Sequence, residues 1–220
     1  MGMVHSQSEF SEEYMGRKFT AVQKRCGWPE AISLIESGCG KEASNESYCE
    51  AKNLYDEFSV RYKTARGINK GHITGAVSIG AIYIPLKRYF GQDKAIEILS
   101  KAMQPASIAK HNKIEKLSAP VFMRVAHIVS GIMYSEKAGF KRVWHCNSNK
   151  ERRYDLLSCP YVDVLTAMGC PEACRTICIQ DDYSFQNMKN GVAFLRTKTL
   201  GRGDDCCDFG FGVKDRNSSL

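Results

Sequence analysis

Between Cys159 and Asp182 the chain gathers thiols and carboxylates at spacings that matter on a helix. Cys174, Cys178 and Asp181 fall at i, i+4 and i+7, so a helix there aligns two thiols and an acid on one face. Asp182 lies a step round and is a candidate for the inward-pointing acid. A thiol beside a carboxylate supplies a nucleophile and a group to manage its proton, which is what covalent hydrolysis needs. Cys170 precedes Pro171, a residue suited to the first helical position, so Cys170 is expected as an N-cap whose thiolate the helix dipole favours. The same one-sided stripe also arises when buried cysteines simply fill a core. Spacing alone leaves both readings open.

Metal ligation is a third use for these thiols. Cys170-x3-Cys174-x3-Cys178 is not a zinc-ribbon pair and no His-x3-5-His partner exists, so no metal and no cofactor is assigned. A folded cysteine-rich metal site drawing on Cys159, Cys206, Cys207 and His145 stays an alternative. His145 is also the imidazole placed for a Cys–His pair, against a purely structural role in its strand. Further on, a strand over 192–200 would put Arg196, Lys198 and Leu200 on one face. Arg196 suits bidentate capture of a substrate carboxylate, or pairing with Asp208 on the partner strand. An aspartate inside a strand is locally unfavourable, so Asp208 is expected to have a specific partner.

Other chemistries find no support. Neither a phosphate-binding loop nor a dinucleotide fingerprint is present, and there is no Gly-x-Ser-x-Gly elbow and no His-Glu-x-x-His. The net charge of +7 comes from Lys and Arg scattered among acids, with no basic–aromatic stripe, so no nucleic-acid partner is expected. Ten cysteines in 220 residues would suggest a disulfide framework in an exported protein. Residues 1–10 lack an apolar signal region, and the most apolar stretch, 73–86, is broken by Gly75, Gly80 and Pro85. The expectation is a soluble cytoplasmic protein with reduced thiols, a small-molecule substrate and no membrane partner. A homo-oligomer is compatible with the sequence.

These groups need elements to hold them. Apolar periodicity predicts helices over 9–26, 29–37 and 48–66, with a polar Gly-Ser-Asn segment over 38–47. A buried helix over 72–90 follows, then 93–103, with Pro105 and Pro120 opening further pieces over 106–117 and 121–134. From Gly139 the texture turns to strands: 140–146 and 152–158 as a hairpin, then 192–200 and 206–213. Helices opened by Pro160 and Pro171 sit between the two pairs. The fold class is α+β, an N-terminal helical region followed by a mainly antiparallel four-stranded sheet with inserted helices. The expected division is a helical extension over 1–70, an α+β domain over 71–213 and a frayed tail over 214–220.

Three motifs in order carry a resemblance: Cys159-Pro160-Tyr161, then Cys174-x3-Cys178-x2-Asp181-Asp182, then Phe194-x-Arg196-x2-Thr199-Leu200-x2-Gly203-x3-Cys207-Asp208-Phe209. Together they resemble the L-2-amino-thiazoline-4-carboxylic acid hydrolase family over roughly residues 70–212. A looser similarity to 4-vinyl-reductase-like domains implies a ligand-binding α+β architecture and, as an alternative function, a non-catalytic small-molecule- or metal-binding module. The hydrolase resemblance implies ring opening of a small sulfur-containing cyclic amidine to a carbamoyl-cysteine. On that reading Cys178 or Cys174 attacks, Asp181 or Asp182 shuttles the proton, and Arg196 holds the carboxylate. Tyr161 or His145 donates to the leaving atom, and Cys159, Cys207 and Asp208 line the substrate.

Overall fold

The computed structural model describes residues 13–14 and 17–214. Thr20 starts the helical part of the chain with a reciprocal cap: its hydroxyl accepts from the Gln23 N–H at 3.3 Å, and the Gln23 side chain accepts from the Thr20 N–H at 2.8 Å. Helix α1 is therefore only Ala21–Arg25. Before it, strands β1 (Glu13–Tyr14) and β2 (Arg17–Lys18) pair antiparallel, which corrects the single helix expected over 9–26. Residues 9–12 and 15–16 of that range, and 215–220 of the expected tail, lie outside the described residues.

Helix α2 (Trp28–Cys39) is followed almost at once by α3 (Lys41–Arg61), so the expected polar segment is largely helical. Its serines are spent on packing: the Ser44 hydroxyl donates to the Ile32 carbonyl at 3.2 Å, and Ser47 is buried. Then come α4 (Gly67–Phe90), α5 (Gln92–Ile114) and α6 (Ala119–Met133). The sheet region comprises β3 (Arg142–Asn147), β4 (Glu151–Leu156), α7 (Pro160–Ala167), a 3-10 turn (Pro171–Cys174) and α8 (Arg175–Phe185). It closes with β5 (Val192–Leu195), a second 3-10 turn (Leu200–Arg202) and β6 (Cys207–Val213). Pro105 does not break α5 as expected. Gln180 of α8 clamps both sides of it, donating to the Ser100 carbonyl at 3.1 Å and accepting from the Ser107 hydroxyl at 2.8 Å.

The four-stranded sheet has the order β3-β4-β6-β5 and is antiparallel throughout, so the fold is α+β. Register places Tyr154 opposite Phe209 and Asp155 opposite Asp208. Strand alternation then buries Tyr154, Leu156, Cys207, Phe209 and Phe211 on one face and turns Asp155 and Asp208 to the other. Strand β5 ends at Leu195 and not at residue 200. The Asp208 carboxylate accepts from the backbone N–H groups of Thr197 (2.8 Å) and Lys198 (2.5 Å) and from the Thr197 hydroxyl (2.6 Å), which pulls the chain out of the ladder. That supplies the partner expected for Asp208, and it is backbone, not Arg196.

Two apolar cores hold these layers. The helical one joins Trp28, Ile32, Ile82, Leu86, Leu99 and Leu165, so α2 shares its core with α4, α5 and α7. The buried Trp28 indole N–H is satisfied by the Ser78 carbonyl at 2.9 Å. The second core, beneath the sheet, is largely aromatic. Among the described residues no helix is long and apolar enough to cross a membrane. Helices α4 and α7 meet at Gly80, where a Cβ would lie 2.6 Å from Met168 Sδ and 2.9 Å from Leu165 Cδ2. Gly80→Val should therefore lower stability by about 1–3 kcal/mol through overpacking, read as a fall in the urea midpoint at unchanged slope.

Candidate active site

Three thiols converge where α7, the first 3-10 turn and α8 meet. Cys159 ends the chain leaving β4 and caps α7, Cys174 closes the turn, and Cys178 sits one helical turn into α8. Cys174 is hydrogen-bonded to both Cys159 and Cys178. Gly201 in the second 3-10 turn lies against the pair: a Cβ there would meet Cys178 Sγ at 2.8 Å and Cys174 Sγ at 3.1 Å. Cys207 opens β6 beside them, its sulfur accepting the Leu200 N–H at 3.2 Å. Pairing among the thiols separates their acidities. Cys174 holds its proton well above the ordinary thiol range, through its hydrogen bonds to Cys159 and Cys178 and then through burial. Cys178 is lowered, chiefly by the hydrogen bond from Cys174, with Arg196 and the Thr199 hydroxyl assisting against burial and Asp181. Burial pushes Cys207 up to about 12.

The acids are organised by Arg196. Its guanidinium donates to Asp181 (3.2 Å), to Asp182 (2.5 Å) and to the Cys178 carbonyl (2.8 Å). That side chain is 5% exposed and already paired with two acids, while it also lines the cavity described below. Asp181 lines the cavity described below, and Asp182 does not: it turns toward Arg196 and Arg202, so the inward acid is Asp181. Burial pushes the Asp181 carboxyl up, with Arg196 and Lys110 partly offsetting.

A cavity of about 450 Å³ opens onto this cluster. Cys159, Tyr161, Cys174, Cys178, Asp181, Arg196 and Cys207 all line it, so seven of the residues expected at the site come together. His145 does not. It lies on the outward face of the sheet, half exposed, with Nε2 2.7 Å from Asp155, because Trp144 takes the inward position and strand neighbours alternate. Asp208 shares that outer face and does not line the cavity. Cys170 does stand at the N-cap before Pro171, but it makes no side-chain cap and its thiolate is not favoured, because burial raises its thiol to about 12. Among the described residues no group of three or more His, Cys, Asp or Glu is placed to hold a metal.

The imidazole at the cavity is His72 of α4, which no motif in the sequence marks out. Its Nε2 faces the Met133 carbonyl at 3.1 Å, an acceptor only, so Nε2 carries the hydrogen and Nδ1 accepts from the Tyr161 hydroxyl at 3.1 Å. Burial lowers the His72 pKa and raises that of Tyr161, so both are neutral near pH 7. Lys110 at the rim, Thr199 and Gly201 were also without an assigned role. Gly201 follows the motif around Arg196, but nothing in the spacing says that it lies against two sulfurs.

Fold and site together define an α+β protein with a thiol–carboxylate pair at the end of an apolar cavity. The family model described as L-2-amino-thiazoline-4-carboxylic acid hydrolase matches residues 71–211, and the chain belongs to that family. No curated protein and no solved structure matches it.

Site-resolved alkylation with iodoacetamide checks the thiol assignments. Because Cys178 is depressed, its thiolate persists below the ordinary thiol pKa of about 8.5, and labelling should reach half its maximum on the acid side of that value. Cys170 and Cys207 should stay unlabelled near pH 7. Gly201→Ala should abolish the preference for Cys178 and cost about 1–3 kcal/mol of stability, since a methyl cannot enter without displacing both sulfurs.

Proposed function

We propose that the protein hydrolyses a small sulfur-containing cyclic amidine of the 2-aminothiazoline type to a carbamoyl-cysteine product, with Cys178 as nucleophile and Asp181 as proton carrier. The observation that carries this reading is the convergence of Cys174, Cys178 and Asp181 on one cavity, with the Cys178 thiol lowered chiefly by Cys174 and the Asp181 carboxyl raised by burial. Family membership supports the hydrolytic class.

The Cys178 sulfur adds to the amidine carbon, forming a C–S bond as its proton passes to the Asp181 carboxylate, which then gives that proton to the departing ring sulfur as the ring C–S bond breaks. The resulting isothiourea adduct is attacked by water, which Asp181, now a carboxylate, deprotonates. Collapse passes the remaining hydroxyl proton to the former ring nitrogen, leaves the carbamoyl oxygen on the product and expels the Cys178 sulfur, which takes back from Asp181 the proton drawn from water. One water is consumed and no oxidant or reductant takes part. Cys174 donates to the Cys178 sulfur whenever it is an anion, Arg196 fixes Asp181, and Tyr161, held by His72, lines the same cavity.

A non-catalytic binding module is the second reading, favoured by the apolar cavity walls. Turnover of 2-aminothiazoline-4-carboxylate by purified protein separates the two. Cys178→Ser should reduce turnover to background, and retained turnover would remove the covalent step. Asp181→Asn should lower turnover by about 10²–10⁴-fold while shifting Cys178 alkylation to lower pH, because a neighbouring negative charge is gone. An unchanged alkylation profile in that variant would break the proposed pairing.

A further inference from the structure

The cavity carries one charge that nothing in the protein answers. Asp181 and Arg196, both on its wall, pair with each other, and Arg196 also holds Asp182 and the Cys178 carbonyl. Lys110 lines the same cavity, and among the described residues it forms no ion pair. Asp181, already held by Arg196, is the acid whose charge reaches it.

Helix α5 sets Lys110 against α8. His111 Nδ1 lies 3.2 Å from the Ser184 carbonyl, and Ile114, one turn beyond Lys110, faces the cavity with it. The Lys110 ammonium lies 4.2 Å from the centre of the Phe185 ring. The residue as a whole is exposed at the rim, while desolvation beside the wall lowers its pKa from the ordinary lysine value and Asp181 partly offsets this. A cation in that position gains from any anion that enters.

The spacing suits a small ring. Cys178, Asp181 and Phe185 follow one another along one face of α8, and all three line the cavity. From Cys178 to Phe185 the helix rises about 10 Å. A sulfur at attack distance from a carbon and an ammonium bonded to a carboxylate take up about 3 Å each. One small ring fills what remains.

We propose that Lys110 selects an acid substrate: its ammonium takes the ring carboxylate at the rim while the amidine carbon meets Cys178. This rests on the thiazoline reading of the cavity. Arg196 keeps its part in placing Asp181.

Binding tests this without calling on hydrolysis. The probe is 2-aminothiazole-4-carboxylate, an aromatic ring that keeps the amino and acid groups and is not opened, beside its uncharged carboxamide. Each is scored by the concentration that halves iodoacetamide labelling of Cys178 in the full-length protein. Labelling is read by peptide mass spectrometry against the unprotected rate of the same variant. The acid should protect at a concentration at least about tenfold below the amide, the effect of one charge-assisted hydrogen bond. Lys110→Met should remove that advantage by weakening the acid and leaving the amide unchanged, and Lys110→Arg should keep it. Equal protection by acid and amide, no protection by the acid, or an acid preference that survives Lys110→Met would each overturn the inference. Hydrolysis of 2-aminothiazoline-4-carboxylate with a KM that Lys110→Met leaves unchanged sinks this inference and leaves Cys178 hydrolysis standing. An acid preference lost in Lys110→Met, without any turnover by the wild-type protein, does the reverse.

Discussion

Arg196 is the tie on which the site depends. It sits just beyond the end of β5, where Asp208 has drawn the chain out of the sheet, and it reaches α8 to hold Asp181, Asp182 and the Cys178 carbonyl at once. Its guanidinium also lies over the rings of Phe194 and Phe209, so one side chain joins the sheet's aromatic face to the helix that carries the chemistry. Burying two carboxylates against one guanidinium is costly unless every donor and acceptor is used. Here that cost shows on the acid facing the cavity: burial raises the Asp181 carboxyl, and Arg196 offsets this only in part.

The thiols face the same crowding of negative charge. A Cys178 thiolate next to an ionised Asp181 places two anions within a helical turn, so lowering that thiol takes a neighbour that offsets the repulsion. Cys174 makes that possible by retaining its own proton and donating it. The cluster therefore works as a unit in which one thiol is prepared by another. Gly201 belongs to it through what it lacks, since any side chain would occupy the space that the two sulfurs share.

The aromatic face serves stability and recognition together. Tyr154 stacks on Phe209 and packs edge-on against Trp144, which cements β3, β4 and β6 into one layer. Rings on the same face are the cavity walls, so the surface that holds the sheet to α8 also excludes water from the thiols. The neutral His72–Tyr161 pair bridges this region to α4, tying the helical core to the cavity without adding charge.

Much of this was written locally. Proline at the first turns of α6 and α7, alternation through β3, β4 and β6, and the i, i+4, i+7 placement of Cys174, Cys178 and Asp181 are relations among near neighbours, and they located the elements and the cavity's reactive end. Local reading failed where side chains intervened: the Thr20 cap shortened α1, buried Ser44 turned an expected loop into α3, and Gln180 carried α5 past Pro105. By itself, then, the sequence determined the α+β class, the family and the thiol-rich helix. Tertiary structure alone decided that Asp181 faces inward, that Arg196 is already occupied, that His145 faces out and that the imidazole present is His72. Those outcomes hang on contacts such as His72 to Tyr161, 89 residues apart, and Arg196 to Asp181, 15 apart, which no local periodicity encodes because they arise only when helix and sheet close over one another.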